Sequence, residues 1–212
     1  MKIRALLPAL LAAALLQAPV VAPAGAADGR VQTATACDPA RYRSHYRVEV
    51  ATTRGQVTHL RVSAVPPHGS RVGTLLVPAQ DVLTATVRFR GGRALRPSGA
   101  AAVLDAAASE SGLRLRSAGS TTLRHAARVR VDLRNTTTRN QAFPVFRGNM
   151  VAAGSFRRYS CRAGRGANAG AYVVTYREGR WRSFGSPVRG WRRCGQDPSG
   201  PIAAAAVREG CA

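Results

Sequence analysis

Apolar and polar residues alternate with a period of two along much of the chain, a pattern typical of β-strands that have one buried face. The alternation is clearest in residues 82–90 and 128–134, where every second side chain is apolar and those between are mostly arginine and threonine. Residues 46–50 alternate in the same way, and 57–65 and 72–77 are predicted as further strands. The first two thirds of the chain are therefore predicted to form mainly strands.

A turn and a sheet edge are predicted from glycine and proline in these runs. Thr53-Arg54-Gly55 favours a turn between two strands, because glycine accommodates the backbone angles of tight turns. Residues 143–146 form another short strand, and its Pro144 has no N–H to donate to a ladder. This strand is therefore predicted at the edge of a sheet.

One Ala-rich helix interrupts the strands, over residues 99–111. It follows Pro97, with Ser98 in position to cap its first turn and Gly112 in the stop position. Nearly all of its apolar residues are alanine, so the helix is only weakly amphipathic and needs a sheet to pack against.

The last third of the chain predicts a hairpin and a second helix. Residues 171–176 and 181–184 are expected to pair around a turn at 177–180, which puts Tyr176 opposite Trp181. Such a pair faces a core more often than it forms a stacking platform. The helix is predicted from Pro201 to Gly210, with Ser199 as its cap, and is expected to fold back on the hairpin.

These elements predict an α+β fold class dominated by strands. It consists of an antiparallel sheet with one Ala-rich helix, plus a small lobe made of a disulfide-stapled β-hairpin and a C-terminal helix. The predicted organisation is a signal peptide at 1–26, a leader at 27–40, a β-rich main lobe at 40–150 and an arginine- and aromatic-rich lobe at 151–212.

The first residues are typical of a secretory signal. Lys2 and Arg4 form a positive start, an apolar run follows over 5–22, and Ala24-Gly25-Ala26 offers the small-x-small pattern that a signal peptidase cuts after. A membrane anchor is the competing interpretation, but prolines interrupt the run and no second apolar span follows. The sequence therefore predicts a secreted, extracellular protein with no membrane span.

The cysteines support export to an oxidising compartment. There are four (Cys37, Cys161, Cys194 and Cys211), an even number without the C-x-x-C spacing of a zinc or redox site, so two disulfides are expected and no metal. Four cysteines allow three connectivities, and the sequence does not choose among them. The favoured arrangement ties the last helix to the hairpin through Cys194 and Cys211 and joins the two lobes through Cys37 and Cys161; a bond between Cys161 and Cys194 remains open.

Charge is the strongest compositional signal. The chain has 32 cationic residues against 10 acidic ones, a net charge of +22, and about +20 remains once Lys2 and Arg4 leave with the signal. Lys2 is the only lysine, a usage that reflects a GC-rich genome and resembles that of small exported proteins of actinomycetes. This bias explains arginine in place of lysine but not the excess of cations. The excess favours a polyanionic neighbourhood.

The predicted binding surface lies in the last lobe. Residues 156–194 contain seven of the chain's twelve aromatic residues and ten arginines, but a single acidic residue. An indole among guanidiniums can stack on a base or sugar while the arginines hold phosphate or sulfate. The candidate binding residues are Arg177, Arg180, Arg182, Arg189, Trp191, Arg192 and Arg193.

No motif of useful specificity predicts a catalytic residue or a cofactor. The function predicted from the sequence is therefore non-enzymatic binding of an anionic polymer (cell-wall polyphosphate, nucleic acid or acidic polysaccharide) or of a cell-envelope surface. One alternative is a secreted nuclease or antibacterial toxin, in which Glu49 and His59 approach across neighbouring strands, although both are expected more often on solvated faces. The other alternative is a protease inhibitor that presents the hairpin tip at 177–180.

Overall fold

The computed structural model describes residues 35–212, so the predicted signal peptide and residues 27–34 of the predicted leader lie outside the described residues. The described residues contain six strands, two α-helices and one turn of 3-10 helix. In chain order they are β1 (His45–Val65), β2 (Ser70–Val77), β3 (Thr86–Phe89), α1 (Pro97–Ser111), β4 (Ala127–Arg134), β5 (Gln141–Ala163), the 3-10 turn (Gly166–Asn168), β6 (Tyr172–Trp191) and α2 (Pro201–Gly210).

Two antiparallel sheets confirm the strand-dominated α+β fold. The main sheet has the order β1-β5-β6-β3, and β2 pairs with β4 as a separate ribbon. Residue 150, where the boundary between two lobes is predicted, lies inside β5, so the sequence before and after it shares one sheet. Residues 35–212 belong to one compact unit.

Both disulfides have the favoured connectivity. Cys37 is bonded to Cys161, and Cys194 is bonded to Cys211. The first holds the chain before β1 against the far end of β5, where the Cys37 amide also donates to the carbonyl of Tyr172 at 3.0 Å. The second joins the chain after β6 to the end of α2.

The predicted hairpin turn at 177–180 is wrong. Residues 172–191 form one strand, and the reversal comes earlier, in the loop 164–171 between β5 and β6. Tyr176 lies opposite Tyr159, and Trp181 lies opposite Gly154. Gly179 is not a turn residue: a side chain there would overlap the ring of Phe156 and the carbonyl of Arg88, so glycine permits close packing.

The predicted turn at Thr53-Arg54-Gly55 is also wrong, because β1 continues through it. The strand absorbs an irregularity between Val50 and Thr52 instead. Gly55 serves packing, since a side chain there would overlap the backbone of Pro201 at the start of α2.

Pro144 lies in β5, between β1 and β6, so the predicted edge position is wrong. Its carbonyl accepts from the amide of Arg192, beyond the end of β6. In a strand, the N–H of a residue points to the same side as its carbonyl. The missing donor therefore faces Arg192, one residue past the end of β6, and the reciprocal bond from residue 144 to Arg192 cannot form at this end of the ladder.

Both helices end as predicted, and α2 also begins at the predicted Pro201, whereas α1 begins two residues earlier than predicted and the cap residues of both differ. Gly112 follows α1 with a φ of 68°, the left-handed conformation of a helix stop. Ser98 and Ser199 do not cap: the N-cap residues are Arg96 and Gly200, and neither makes a side-chain cap bond. Both helices therefore start at a proline with the amides of the first turn uncapped.

Alternation along β5 determines what each face of the main sheet contacts. Its even-numbered residues face the helices: Phe156 packs with Trp181 and α1, and Phe146 packs with Ile202 of α2. The odd-numbered residues face the other way, where Phe143 packs with the β2–β4 ribbon. We call these the helix face and the ribbon face.

The ribbon covers only part of its face. We call residues 141–151 of β5 and 184–191 of β6 the covered end, because apolar groups pack against both faces there. We call residues 155–163 of β5 and 172–180 of β6 the hairpin end. On the ribbon face of the hairpin end, side chains such as Ser155 and Arg157 are exposed.

Candidate anion-binding site

The structure distributes the seven predicted binding residues over three places. Arg177 lies on the helix face, opposite Arg158. Arg180 and Arg182 lie on the ribbon face near the hairpin end, opposite Ser155 and Ala153. The remaining four lie at or beyond the covered end; they are Arg189, Trp191, Arg192 and Arg193. The predicted surface is therefore not one continuous face.

Trp191 is half-buried and packs against the apolar cluster between the main sheet and the ribbon. Its ring meets the ring of Phe143 edge-on, with 6.0 Å between centroids. The Arg192 guanidinium donates to the carbonyl of Trp191 at 2.8 Å and to the hydroxyl of Ser199. These contacts give Trp191 and Arg192 a structural role at the covered end.

The ribbon face of the hairpin end carries a row of aromatic rings. His45, Tyr159 and Tyr176 lie side by side on three neighbouring strands. The His45 ring stacks on Tyr159 at 5.1 Å with an interplanar angle of 12°, and Tyr159 and Tyr176 are 5.9 Å apart. Tyr42 extends the row, 5.9 Å from His45. Since half of Tyr176 is exposed, the row presents aromatic surface to solvent.

Arginines border this aromatic row. Arg157 lies over the Tyr176 ring at 5.2 Å, and its neighbours Tyr159 and Glu178 raise the pKa of its guanidinium above the usual range. Glu178 accepts from Arg157 at 3.1 Å and pairs with Arg90 at 3.2 Å. One carboxylate thus serves two guanidiniums.

On the helix face of the hairpin end, five arginines line one depression of about 620 Å³, which we call the arginine pocket. They come from three parts of the chain: the segment before α1, the end of β5, and β6. They are Arg93, Arg96, Arg158, Arg162 and Arg177. None of the residues lining the pocket is acidic, and the hydroxyl-bearing residues Ser44, Tyr46 and Ser98 also line it.

Local packing fixes the walls of the arginine pocket. Arg177 lies over the ring of Phe89, with 4.6 Å from its Cζ to the ring centroid. Gly99, in the first turn of α1, lets the Tyr46 side chain approach the helix, since a side chain there would overlap the Tyr46 hydroxyl. The pocket therefore opens at the uncapped N-terminus of α1.

Two features of the pocket are unfavourable unless an anion compensates them. The Nε of Arg158 is buried and has no hydrogen-bond acceptor among residues 35–212. The N-terminus of a helix carries partial positive charge, which repels cations, yet Arg93 and Arg96 lie directly before α1. A phosphate, sulfate or carboxylate group would accept a hydrogen bond from the Arg158 Nε and would offset the positive charge at the start of α1.

Sequence reasoning found only Arg177 of these five arginines. Arg158 and Arg162 stand among many other arginines of β5 and have no distinguishing spacing. Arg93 and Arg96 did carry a signal, because cations are disfavoured before a helix. Two arginines before a Pro-Ser-Gly helix start are therefore the sequence signal at this pocket.

The predicted acid–base pair of a nuclease does not form. Glu49 and His59 both lie on β1, ten residues apart, rather than on neighbouring strands. Glu49 is exposed as predicted, but His59 is fully buried, so its predicted solvated position is wrong. Its ring nitrogens contact the Thr58 hydroxyl and the His125 carbonyl, both at 2.9 Å, and burial lowers its pKa.

The inhibitor alternative required an exposed tip at 177–180, and the structure has none there. These residues lie within β6 and all pair with β5, and Gly179 and Arg180 also pair with β3: Arg180 is opposite Ser155 of β5 and Arg88 of β3. A segment held in a ladder on both edges cannot enter a protease as an extended loop.

Within residues 35–212, no three histidine, cysteine or acidic side chains come together in a way that could hold a metal ion. The helices of this part of the chain are also too short or too polar to cross a membrane.

Comparison with known proteins finds no family model that matches the chain, no similar curated protein and no similar solved structure.

Proposed function

We propose that this is an exported protein that binds anionic polymers (cell-wall polyphosphate, nucleic acid or acidic polysaccharide) and holds one anionic group of the polymer in the arginine pocket. The observation that carries the proposal is the pocket itself: five guanidiniums without a carboxylate, around an uncapped helix N-terminus. The disulfides Cys37–Cys161 and Cys194–Cys211 fit the oxidising conditions outside the cytoplasm.

The remainder of the polymer would follow the hairpin end. Phosphate and sulfate groups suit guanidinium forks, and sugars or bases suit aromatic faces. The aromatic row lies on the opposite face from the pocket, so a flexible chain that reaches both must pass around the hairpin end. A flexible polymer is therefore the class of ligand that we propose.

The test must separate a located site from bulk charge, since a chain with a net charge of +22 associates with many polyanions at low salt. In the pocket variant, Arg93, Arg96, Arg158 and Arg162 become Gln. The matched control removes the same charge from exposed positions on and around β4; it changes Arg124, Arg128, Arg130 and Arg139 to Gln. Affinity for polyphosphate, heparin and single-stranded DNA is measured at several salt concentrations.

The pocket variant is expected to lose more affinity than the control. Its slope of log Kd against log salt should fall by up to about one unit for each lost contact. Equal loss in both variants would show that only net charge matters, and the proposal would be abandoned. Circular dichroism checks that both variants keep the strand content of the parent.

A further inference from the structure

A second depression lies on the ribbon face at the covered end. Here the chain between α1 and β4 passes over β5 and β6 and leaves a space of about 350 Å³, within the range of small-molecule sites. Charged and polar groups line it beside the ring of Phe184. They come from Arg116, Ser120, Thr121, Thr122, Arg147 and Asn149.

Arg147 brings a cation to this depression. The residue is half-buried in β5, and its Nε is buried with no hydrogen-bond acceptor in the part of the chain that the structure describes. Arg189 lies opposite it on β6, and burial together with this second guanidinium lowers the pKa of Arg147. Among residues 35–212, none of those lining the depression is acidic, so no carboxylate there neutralises the charge of Arg147.

Asn149, two residues along β5 and on the same face, brings an acceptor. Its side chain is only 2% exposed. The amide Nδ2 donates to the carbonyl of Gly185 at 2.8 Å, which fixes the orientation of the group, while no donor from the described residues reaches Oδ1. The same depression thus holds a buried donor and a buried acceptor, both without partners.

The wall of the depression is held by backbone bonds. Thr122 and Leu83 exchange two bonds of 3.0 Å, one to the Thr122 hydroxyl and one from the Thr122 amide. The Arg116 amide donates to the carbonyl of Phe184 at 2.9 Å. Because the wall is tied to the sheet, the unpartnered groups of Arg147 and Asn149 cannot be satisfied by a simple collapse of the loop.

We propose that this depression binds a small anion that also carries hydroxyl groups, such as a sugar acid or a sugar phosphate. The anionic group accepts from Arg147 and Arg116, a ligand hydroxyl donates to Oδ1 of Asn149, and the ring of Phe184 contacts the apolar side of the sugar. The inference is independent of polymer binding, since none of the lining residues belongs to the arginine pocket.

Calorimetric titration of the disulfide-bonded protein tests the proposal with glucuronate and glucose 6-phosphate, which distinguish carboxylate from phosphate. Acetate and inorganic phosphate supply the charge without the sugar, and glucose supplies the sugar without the charge. We expect at least one hydroxylated anion to bind at least tenfold more tightly than the probe that shares its anionic group and than glucose.

Arg147→Gln and Asn149→Asp should each weaken that binding at least tenfold, because one removes the donor and the other places a carboxylate beside the anion. Arg128→Gln, on the exposed face of β4, is the control for charge. Arg116→Gln, at an exposed position, tests the same site should the buried variants fail to fold. No saturable binding, no preference for the hydroxylated anions, or equal weakening by Arg128→Gln would overturn the proposal.

Discussion

The two ends of the β5–β6 ladder differ in what covers them. At the covered end, α2 packs on one face and the β2–β4 ribbon on the other, so that apolar residues such as Phe146 and Phe143 fill both sides. At the hairpin end, only α1 packs on the sheet, and the opposite face carries exposed groups such as Arg157 and Tyr176. The same two strands therefore serve as core at one end and as surface at the other.

This difference shows where a basic protein can locate its charge. Where both faces are covered, a cation such as Arg147 enters the interior at a cost, and its Nε has no hydrogen-bond partner among the described residues. Where one face is open, arginines can border an aromatic row and share a single carboxylate, Glu178. The hairpin end is thus free to contact a polymer, whereas the covered end has room only for a small ligand.

Removing a disulfide has the largest expected effect on stability, and the effect should differ between the two ends. Replacing Cys37 and Cys161 with serine should lower the free energy of unfolding by about 5 kcal/mol, and replacing Cys194 and Cys211 by about 3 kcal/mol, because loop-closure entropy grows with loop length. The separations are 124 and 17 residues. Urea unfolding without reductant measures both. A greater loss at the covered end would show that native contacts, rather than loop length, dominate.

Trp181 and Tyr176 provide the next comparison, on one strand and five residues apart. Trp181 is 2% exposed and Tyr176 49%. Trp181→Ala should lower the free energy of unfolding by about 3–5 kcal/mol through the cavity it leaves, and Tyr176→Ala should lower it far less. Similar losses in denaturant unfolding would contradict the assignment of Tyr176 to the surface.

Local pattern predicted the exposed and buried faces of several elements. In residues 82–90 and in β4, the alternating apolar side chains are the buried ones, because each segment packs against the rest of the protein with one side only. Both helix ends followed from Gly112 and Gly210, and the favoured disulfides formed. These features depend on near neighbours or on a small number of possible pairings.

Long-range packing explains the errors. Glycine is common in turns, and for this reason turns were predicted at Gly55 and around Gly179. Both glycines instead permit close contact with groups distant in sequence: Gly55 with Pro201, and Gly179 with Phe156. Nothing local distinguishes a glycine required by a turn from one required by a neighbouring ring. The arginine pocket was missed for the same reason, because Arg93, Arg158 and Arg177 meet only in the folded sheet.

The burial of His59, at the covered end, predicts that the stability of the protein depends on pH. Burial lowers its folded-state pKa, so the unfolded chain binds more protons and stability should fall as pH decreases below the unfolded value of about 6.5. The slope of unfolding free energy against pH should reach at most about 1.4 kcal/mol per unit from this residue. In urea titrations between pH 7 and 5, His59→Gln should remove this part of the slope. An unchanged slope would assign the dependence to other groups.

The smallest expected effect on stability, and the sharpest test of the comparison, comes from Glu178. It is the carboxylate that holds Arg157 and Arg90 on the open face. Glu178→Gln should change the free energy of unfolding little, because both partner arginines are exposed and ion pairs to exposed groups contribute little. It should nevertheless raise affinity for polyphosphate severalfold at low salt, because two guanidiniums are freed beside the aromatic row. Glu209→Gln, on the exposed side of α2, makes the same charge change away from the hairpin end. If polymer contacts the hairpin end, only the first substitution raises affinity strongly; an equal rise in both would mean that the two ends differ in packing but not in binding.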